Sequence, residues 1–286
     1  MILLPPTTST FAGGFQLNFL ESGTPDGPPV LLVHGGGTWL YSFRHLFAPL
    51  SALGCRVLAL DMPGHGYTQP LPGVRPAYDL DTMVGTLAAF LDKSEVTTPV
   101  RLIGNSWGGG WALRFAQLHP ERVSSLALLA PSGFCGKEVW LYESLKYPLL
   151  GELMVLVVSR TVARWFYRQA FHDPGMVSEE MVGAAFAPMA ACQENRRAQY
   201  KLMRRLDWRL TEAAMERTAT PALVIWGSED RLWPVSMAAR FSKSLPCCRV
   251  EIFEGCGHLP HEEMPERTLD RLQAFWGNQA VSGRHI

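Results

Sequence analysis

The chain is 286 residues long, carries 26 lysines and arginines against 26 aspartates and glutamates, and is 47% apolar. A zero net charge supplies no field for a nucleic acid or an anionic membrane, and the length suits one α/β core carrying an insertion. The six cysteines (Cys55, Cys135, Cys192, Cys247, Cys248, Cys256) are scattered without a disulfide-framework spacing, which predicts reduced thiols and a cytoplasmic location.

The opening MILLPPTTST lacks a basic segment and its apolar run is broken by Pro5 and Pro6, so no secretory leader is expected. Three apolar runs then read as strands ending in loops rich in glycine or acid: PVLLVHGGG, CRVLALDMPGHG and VRLIGNSWGG. Helical segments around Phe43 to Leu53 and Leu80 to Leu91 separate them. This βαβα alternation predicts a parallel sheet with helices on both faces. SSLALLAPSG, PALVIWGSED and RVEIFEGCGH supply three more strands. Between the first two of these, from about Gly133 to Arg217, the period becomes helical and large apolar residues recur: Trp140, Tyr142, Met154, Trp165, Phe166, Phe171, Met176, Met181, Phe186 and Met189. An inserted helical cap over residues 133–217, on a core of 1–132 and 218–286, is the expected organisation. Its run LLGELMVLVV, Leu149 to Val158, is too short and too interrupted by Glu152 for a membrane span and reads as a buried or lid helix. Arg160, Arg164 and Arg168 read as a solvated helix face, although one turned inward could bind a carboxylate.

Chemistry concentrates at GNSWG. Between a strand and a helix, G-x-S-x-G is a turn that projects the serine hydroxyl clear of the backbone, and side chains at positions 104 and 108 would crowd it. Gly109 and Gly110 each weaken the following helix by about 1 kcal/mol relative to alanine, so close packing of the helix start is the expected reason for them. A serine is a poor nucleophile until a base takes its proton, and that base needs an acid to orient it. Of the eight histidines, His258 alone follows the last strand inside a glycine-rich loop; His261 is expected to be solvated, and His34, His45, His65, His119, His172 and His285 to be structural or solvated. Asp230, just past PALVIWG, is the acid, with Glu229 its competitor. HGGGTW offers backbone N–H groups to a developing oxyanion, Gly36 being paired with Trp107, the residue after the serine. Without a following GK[ST], that glycine run is no phosphate loop. The spacing C-C-x7-C-x-H around His258 resembles a zinc pattern, but adjacent Cys247 and Cys248 make a poor chelate. No metal and no organic cofactor are expected.

Taken in order, HGGGTW, DMPGHG, GNSWGG, HPERV, GSEDRLWP and GCGHLPHEEMPE resemble the α/β-hydrolase superfamily from about residue 11 to residue 277. The resemblance implies a mostly parallel eight-stranded sheet with a helical cap, and a Ser106, Asp230, His258 triad. Haloalkane dehalogenases and epoxide hydrolases are similar in HGGGTW, but carry aspartate where this chain has Ser106. The leading expectation is a serine hydrolase acting on a small to medium, largely apolar carboxylic ester, as a monomer or homodimer, with no nucleic-acid or membrane partner. Three readings stay open beside it. Carbon-carbon hydrolases of meta-cleavage products share HGGG and a GNS turn, yet typically have tryptophan after the histidine where this chain has Leu259; their cap arginine has no clear match, with Arg196 or Arg197 as candidates. Proline iminopeptidases resemble GNSWGG and HPERV but carry HGGPG. A non-catalytic ligand receptor on the same fold is the third.

Overall fold

The computed structural model describes residues 4, 6–136, 143, 144, 146, 147, 149–156 and 158–282. Trp140, Tyr142 and His285 lie outside them. Eight strands form the main sheet in the order β1 (Thr8–Ala12), β2 (Phe15–Gly23), β4 (Arg56–Leu60), β3 (Pro29–Val33), β6 (Val100–Asn105), β7 (Val123–Leu129), β8 (Ala222–Gly227) and β9 (Cys248–Phe253). A two-residue β5 (Gln69–Pro70) pairs with β2 off this path. The pairs β1–β2 and β2–β4 are antiparallel, and every other neighbour from β4 to β9 is parallel. The six apolar runs of the sequence are the six strands from β3 onward other than β5; β1 and β2 come in addition.

Parallel strands covered on both faces must be apolar throughout, and β3 is buried at every position. Its side chains alternate: Leu31 and Val33 join one apolar cluster with Phe90 and Trp111, while Val30 and Leu32 join another with Phe43 and Trp276. The first cluster lies under helices α2 (Leu80–Lys93) and α3 (Trp107–Leu118), the second under α1 (Phe47–Ala52) and the helix Pro265–Ser282. Burying each such side chain contributes about 1.5–3 kcal/mol, so truncating Leu32 to alanine at the centre of the sheet would cost about 2–5 kcal/mol. Helix α2 starts at Asp79, whose carboxylate accepts the Thr82 N–H at 2.9 Å.

Between β7 and β8 the described residues hold helices Leu150–Leu156, Arg160–Ala170, Glu179–Ala191, Gln193–Arg205 and Arg209–Ala213, and no strand. Ser159 and Ser178 cap the second and third of these by accepting from Val162 and Met181. Arg160 and Arg164 reach across to Glu179, and Arg168 is exposed. Leu149 and Leu153 point into solvent, 74% and 62% exposed. Helix Gln193–Arg205 instead buries Ala198, Leu202 and Met203 in the core cluster. No helix among the described residues is long and apolar enough to cross a membrane.

Candidate active site

Ser106 stands at the β6–α3 joint with φ 51° and ψ −120°, a left-handed conformation that costs a non-glycine residue about 1–3 kcal/mol. Backbone bonds hold it there: its N–H donates to Leu129 at 3.0 Å, and its carbonyl accepts from Ser132 at 2.9 Å and Gly110 at 3.1 Å. The surrounding glycines each answer a close approach. A Cβ on Gly104 would lie 2.5 Å from the Gly108 carbonyl oxygen, and one on Gly108 would overlap the carbonyl oxygens of Val33 and His34. Gly109 abuts Pro131 and Gly110 abuts the Trp208 ring, so the packing of the helix start accounts for both.

Asp230 and His258 arrive from the loops after β8 and β9. His258 Nδ1 lies 2.7 Å from Asp230 Oδ2. A carboxylate only accepts, so Nδ1 carries the proton and Nε2 is left as the acceptor. Oδ1 of Asp230 accepts the N–H groups of Leu232 and Trp233, both at 2.9 Å, which satisfies this buried carboxylate and fixes its plane. Neighbouring Glu229 is exposed and accepts from the Ser228 hydroxyl at 3.4 Å. Asn105 ties the histidine loop to the elbow, donating through Nδ2 to the carbonyls of Leu129 at 3.0 Å and His258 at 3.3 Å.

The glycine run after β3 crosses in front of Ser106. A Cβ on Gly35 would lie 3.1 Å from that of Ser106, and one on Gly36 would enter the Trp107 ring. Buried His34 anchors this run: Nδ1 bonds the Gly35 carbonyl at 2.8 Å, and Nε2 accepts the Met62 N–H at 2.9 Å. Burial and the nearby His65 hold His34 well below the ordinary histidine range. Behind it, Asp61 accepts from Leu40, Tyr67 and Asn18 at 2.7–2.9 Å; burial nonetheless pushes its carboxyl up to about 6.

Ser106, His258, Gly36 and Trp107 therefore border one cavity, with Asp230 just behind it; Gly35, Thr38, Asn105, Phe166, Tyr167, Leu232, Trp233 and Leu259 complete its described wall. No lysine or arginine borders it among the described residues. Of the large apolar residues picked out between positions 133 and 217, Phe166 is in this wall. Phe171 and Met181 pack in a cluster with Tyr167, Ala170 and Leu259, while Trp165 and Met176 are exposed. Leu232, Trp233 and Leu259 could have been found by their nearness to Asp230 and His258; Tyr167 gave no signal. His261, expected to be solvated, is instead wholly buried, its ring centroid 4.7 Å from that of Phe43. The short helix Pro260–Glu263 turns it inward, and burial holds it neutral, well below the usual histidine range. Around His258, Nδ1 is committed to Asp230, and Cys256 is a buried free thiol whose pKa burial raises.

Residues 28–265 match the sequence model of the α/β hydrolase fold. The chain is 30% identical over 95% of its length, and 69% of the relative's, to the dihydrolipoyllysine-residue acetyltransferase component of the acetoin cleaving system of Pseudomonas putida. It is 28% identical, over 94% of its length and 90% of the relative's, to the 2-hydroxy-6-oxo-6-(2'-aminophenyl)hexa-2,4-dienoic acid hydrolase of Metapseudomonas resinovorans. The crystal structure of a membrane phospholipase A, a bacterial virulence factor, superposes with a TM-score of 0.77 at 28% identity, covering 96% of this chain and 86% of that one. With its sheet order, its strand–serine–helix joint and this match over most of its length, the chain belongs to the α/β hydrolase fold family.

Proposed function

We propose that the chain is a serine hydrolase that cleaves a small to medium, largely apolar carboxylic ester through an acyl-enzyme. The observation that carries this reading is the shared cavity, where the strained Ser106 turn meets the His258–Asp230 pair inside a wall of uncharged side chains. Ser106 Oγ attacks the ester carbonyl carbon and passes its proton to His258 Nε2. Asp230 holds the ring in the right tautomer and stabilises the imidazolium. The carbonyl oxygen becomes an oxyanion against the backbone N–H groups of Gly36 and Trp107, each worth about 3–4 kcal/mol when well aimed. The tetrahedral centre collapses, the C–O bond breaks, and the leaving alkoxide takes the proton from His258. Water, deprotonated by the same nitrogen, then attacks the acyl-enzyme and releases the acid and free Ser106. In this reading residues 133–217 form the cap over a core of 1–132 and 218–286, and Phe166 and Tyr167 are the cap's described contribution to the acyl pocket.

A second reading is favoured by the relationship to the hexadienoic acid hydrolase: cleavage of a carbon-carbon bond in a dienoic diketo acid. Such a substrate carries a carboxylate that calls for a cationic partner, and the described wall offers none. The deciding measurement is kcat/KM across nitrophenyl esters from acetate to octanoate beside one dienoic diketo acid. The ester reading expects a rise of about 0.8 kcal/mol, roughly fourfold, per methylene over the first few carbons, followed by a plateau. A flat ester series with rapid diketo-acid cleavage would overturn it. Ser106→Ala and His258→Ala should each lower turnover on the order of a thousandfold or more, because the three residues act as a unit.

A further inference from the structure

The loop carrying His258 is held by a carboxylate that has no part in the chemistry above. Glu263, at the end of the short helix Pro260–Glu263, accepts the Gly257 N–H at 3.0 and 3.1 Å through its two oxygens and the Leu259 N–H at 3.3 Å. It also accepts the N–H of His172, which belongs to the helical insertion, at 2.7 Å. The N–H between the two loop donors, that of His258 itself, goes to the Ala170 carbonyl at 2.7 Å. Three consecutive N–H groups of the histidine loop are thus committed to Glu263 or to the last residue of helix Arg160–Ala170. His172 is bound from its other side as well: its carbonyl accepts from Arg231, the neighbour of Asp230, at 3.5 Å.

The approach is close enough to dictate residue type. A Cβ on Gly257 would lie 2.7 Å from the His172 nitrogen and 2.9 Å from Glu263 Oε1. Beside this polar knot, Leu259 packs into an apolar cluster with Tyr167, Ala170, Phe171 and Met181. A carboxylate suits the place because it has only acceptor oxygens, and charge-assisted bonds of this kind are about twice as strong as neutral ones.

We propose that Glu263 is a positioning residue that couples the seating of the 170–172 joint to the placement of the His258 ring, so that the insertion is rigidly docked at this end and its displacement there misplaces His258. The inference rests on His258 being the base, as proposed above. Displacing a catalytic group by about 1 Å can cost on the order of a hundredfold in rate, which sets the scale of the effect.

Two variants of the full chain test it. Glu263→Gln keeps the size of the side chain but turns an NH2 toward N–H donors. His172→Pro removes the donor on the insertion side together with the imidazole, and is read against His172→Ala, which keeps the N–H; Phe171 before it has an extended backbone (φ −84°, ψ 142°) that tolerates a following proline. Three readouts are taken: kcat and KM on a nitrophenyl ester, the rate at which a fluorophosphonate labels Ser106, and amide hydrogen exchange of segments 256–260 and 170–173. Glu263→Gln is expected to lower kcat and the labelling rate about 10- to 100-fold with KM changed less than about threefold, and to speed exchange in both segments. His172→Pro is expected to lower both rates about 3- to 10-fold and to speed exchange in 256–260, across the joint. The double variant should be no slower than Glu263→Gln alone. Wild-type rates in His172→Pro, unchanged exchange in 256–260, or losses that multiply in the double variant would overturn the coupling, and His172→Pro alone decides if Glu263→Gln does not fold. A wild-type protein that neither takes the label nor loses activity as Ser106→Ala would instead sink the reading of the base, while the exchange data would still report whether the joint and the loop move together.

Discussion

The elbow at Ser106 and the helices between β7 and β8 face each other across one cavity, and they are built on different principles. At the elbow, backbone meets backbone: Gly108 lies against the Val33 and His34 carbonyls, and Gly104 against Gly108. In the insertion, outside the 170–172 joint, side chains meet the core: Asn195 donates to the Gly66 carbonyl at 2.7 Å and Gln199 to the Gly64 carbonyl at 3.2 Å. Backbone contacts admit almost no change of residue. Side-chain contacts can be remade by many sequences, which lets the two walls of one pocket differ sharply in how freely they vary.

Gly108→Ala should break this comparison most violently. Its added methyl has only carbonyl groups to displace, so a loss of about 4 kcal/mol or more is expected, read as failure to fold or a collapse of the urea midpoint. A variant as stable as wild type would mean that the elbow has room the structure denies.

That constraint is also why the elbow could be read from residue types. Glycines at 104, 108, 109 and 110 record close approaches that leave no room for a side chain, and Asp230 and His258 stand out because each follows a strand legible in the sequence. The insertion wrote no such record. Whether Phe166 or Trp165 turns toward the cavity depends on how one helix sits on the next, and adjacent positions gave the same apolar signal. His261 misled for a related reason, since a four-residue helix has too few turns to show a periodic face. Strand β2 was recoverable in principle, because Phe15, Leu17 and Phe19 alternate with Gln16 and Asn18.

Acid sharpens the contrast by acting on the core. His45 and His65 are lowered to about 4, chiefly by burial, and His34 and His261 are also held well below the ordinary histidine value. Between about pH 6.5 and 4 the unfolded chain takes up protons on these histidines that the folded chain refuses, so stability falls as pH falls through that window. Asp61, raised to about 6, works against them: below that pH the folded chain keeps a proton that the unfolded chain releases until about 3.9. Glu262 and Glu263, also raised by burial, oppose in the same sense. In the window where His45 and His65 stay neutral in the folded chain but protonate in the unfolded one, each contributes a loss of about 1.4 kcal/mol per pH unit, partly offset by Asp61. Urea unfolding at a series of pH values measures this slope, and His65→Asn, which removes one such group, should reduce it by about one proton. An unchanged slope would show that His65 is charged in the folded protein.

The smallest effect belongs to the outer surface of the insertion. Leu153 is 62% exposed, so Leu153→Ser should change stability by less than about 0.5 kcal/mol, as a thermal melt would show. A larger loss would place Leu153 against a surface that its exposure does not reveal.

One consequence follows from where the insertion leaves and rejoins the sheet. Strands β7 and β8 are parallel neighbours, so a crossover between them is obligatory whatever its length. The helices ride on a connection that any such sheet must make. Doubling a flexible loop raises its closure cost by only about 0.6 kcal/mol, so this crossover can be lengthened, shortened or exchanged with little entropic consequence for the sheet. The fold thus offers heredity a nearly separable module: one end of the pocket can be rewritten while the elbow stays unchanged, provided the 170–172 joint still seats the His258 loop.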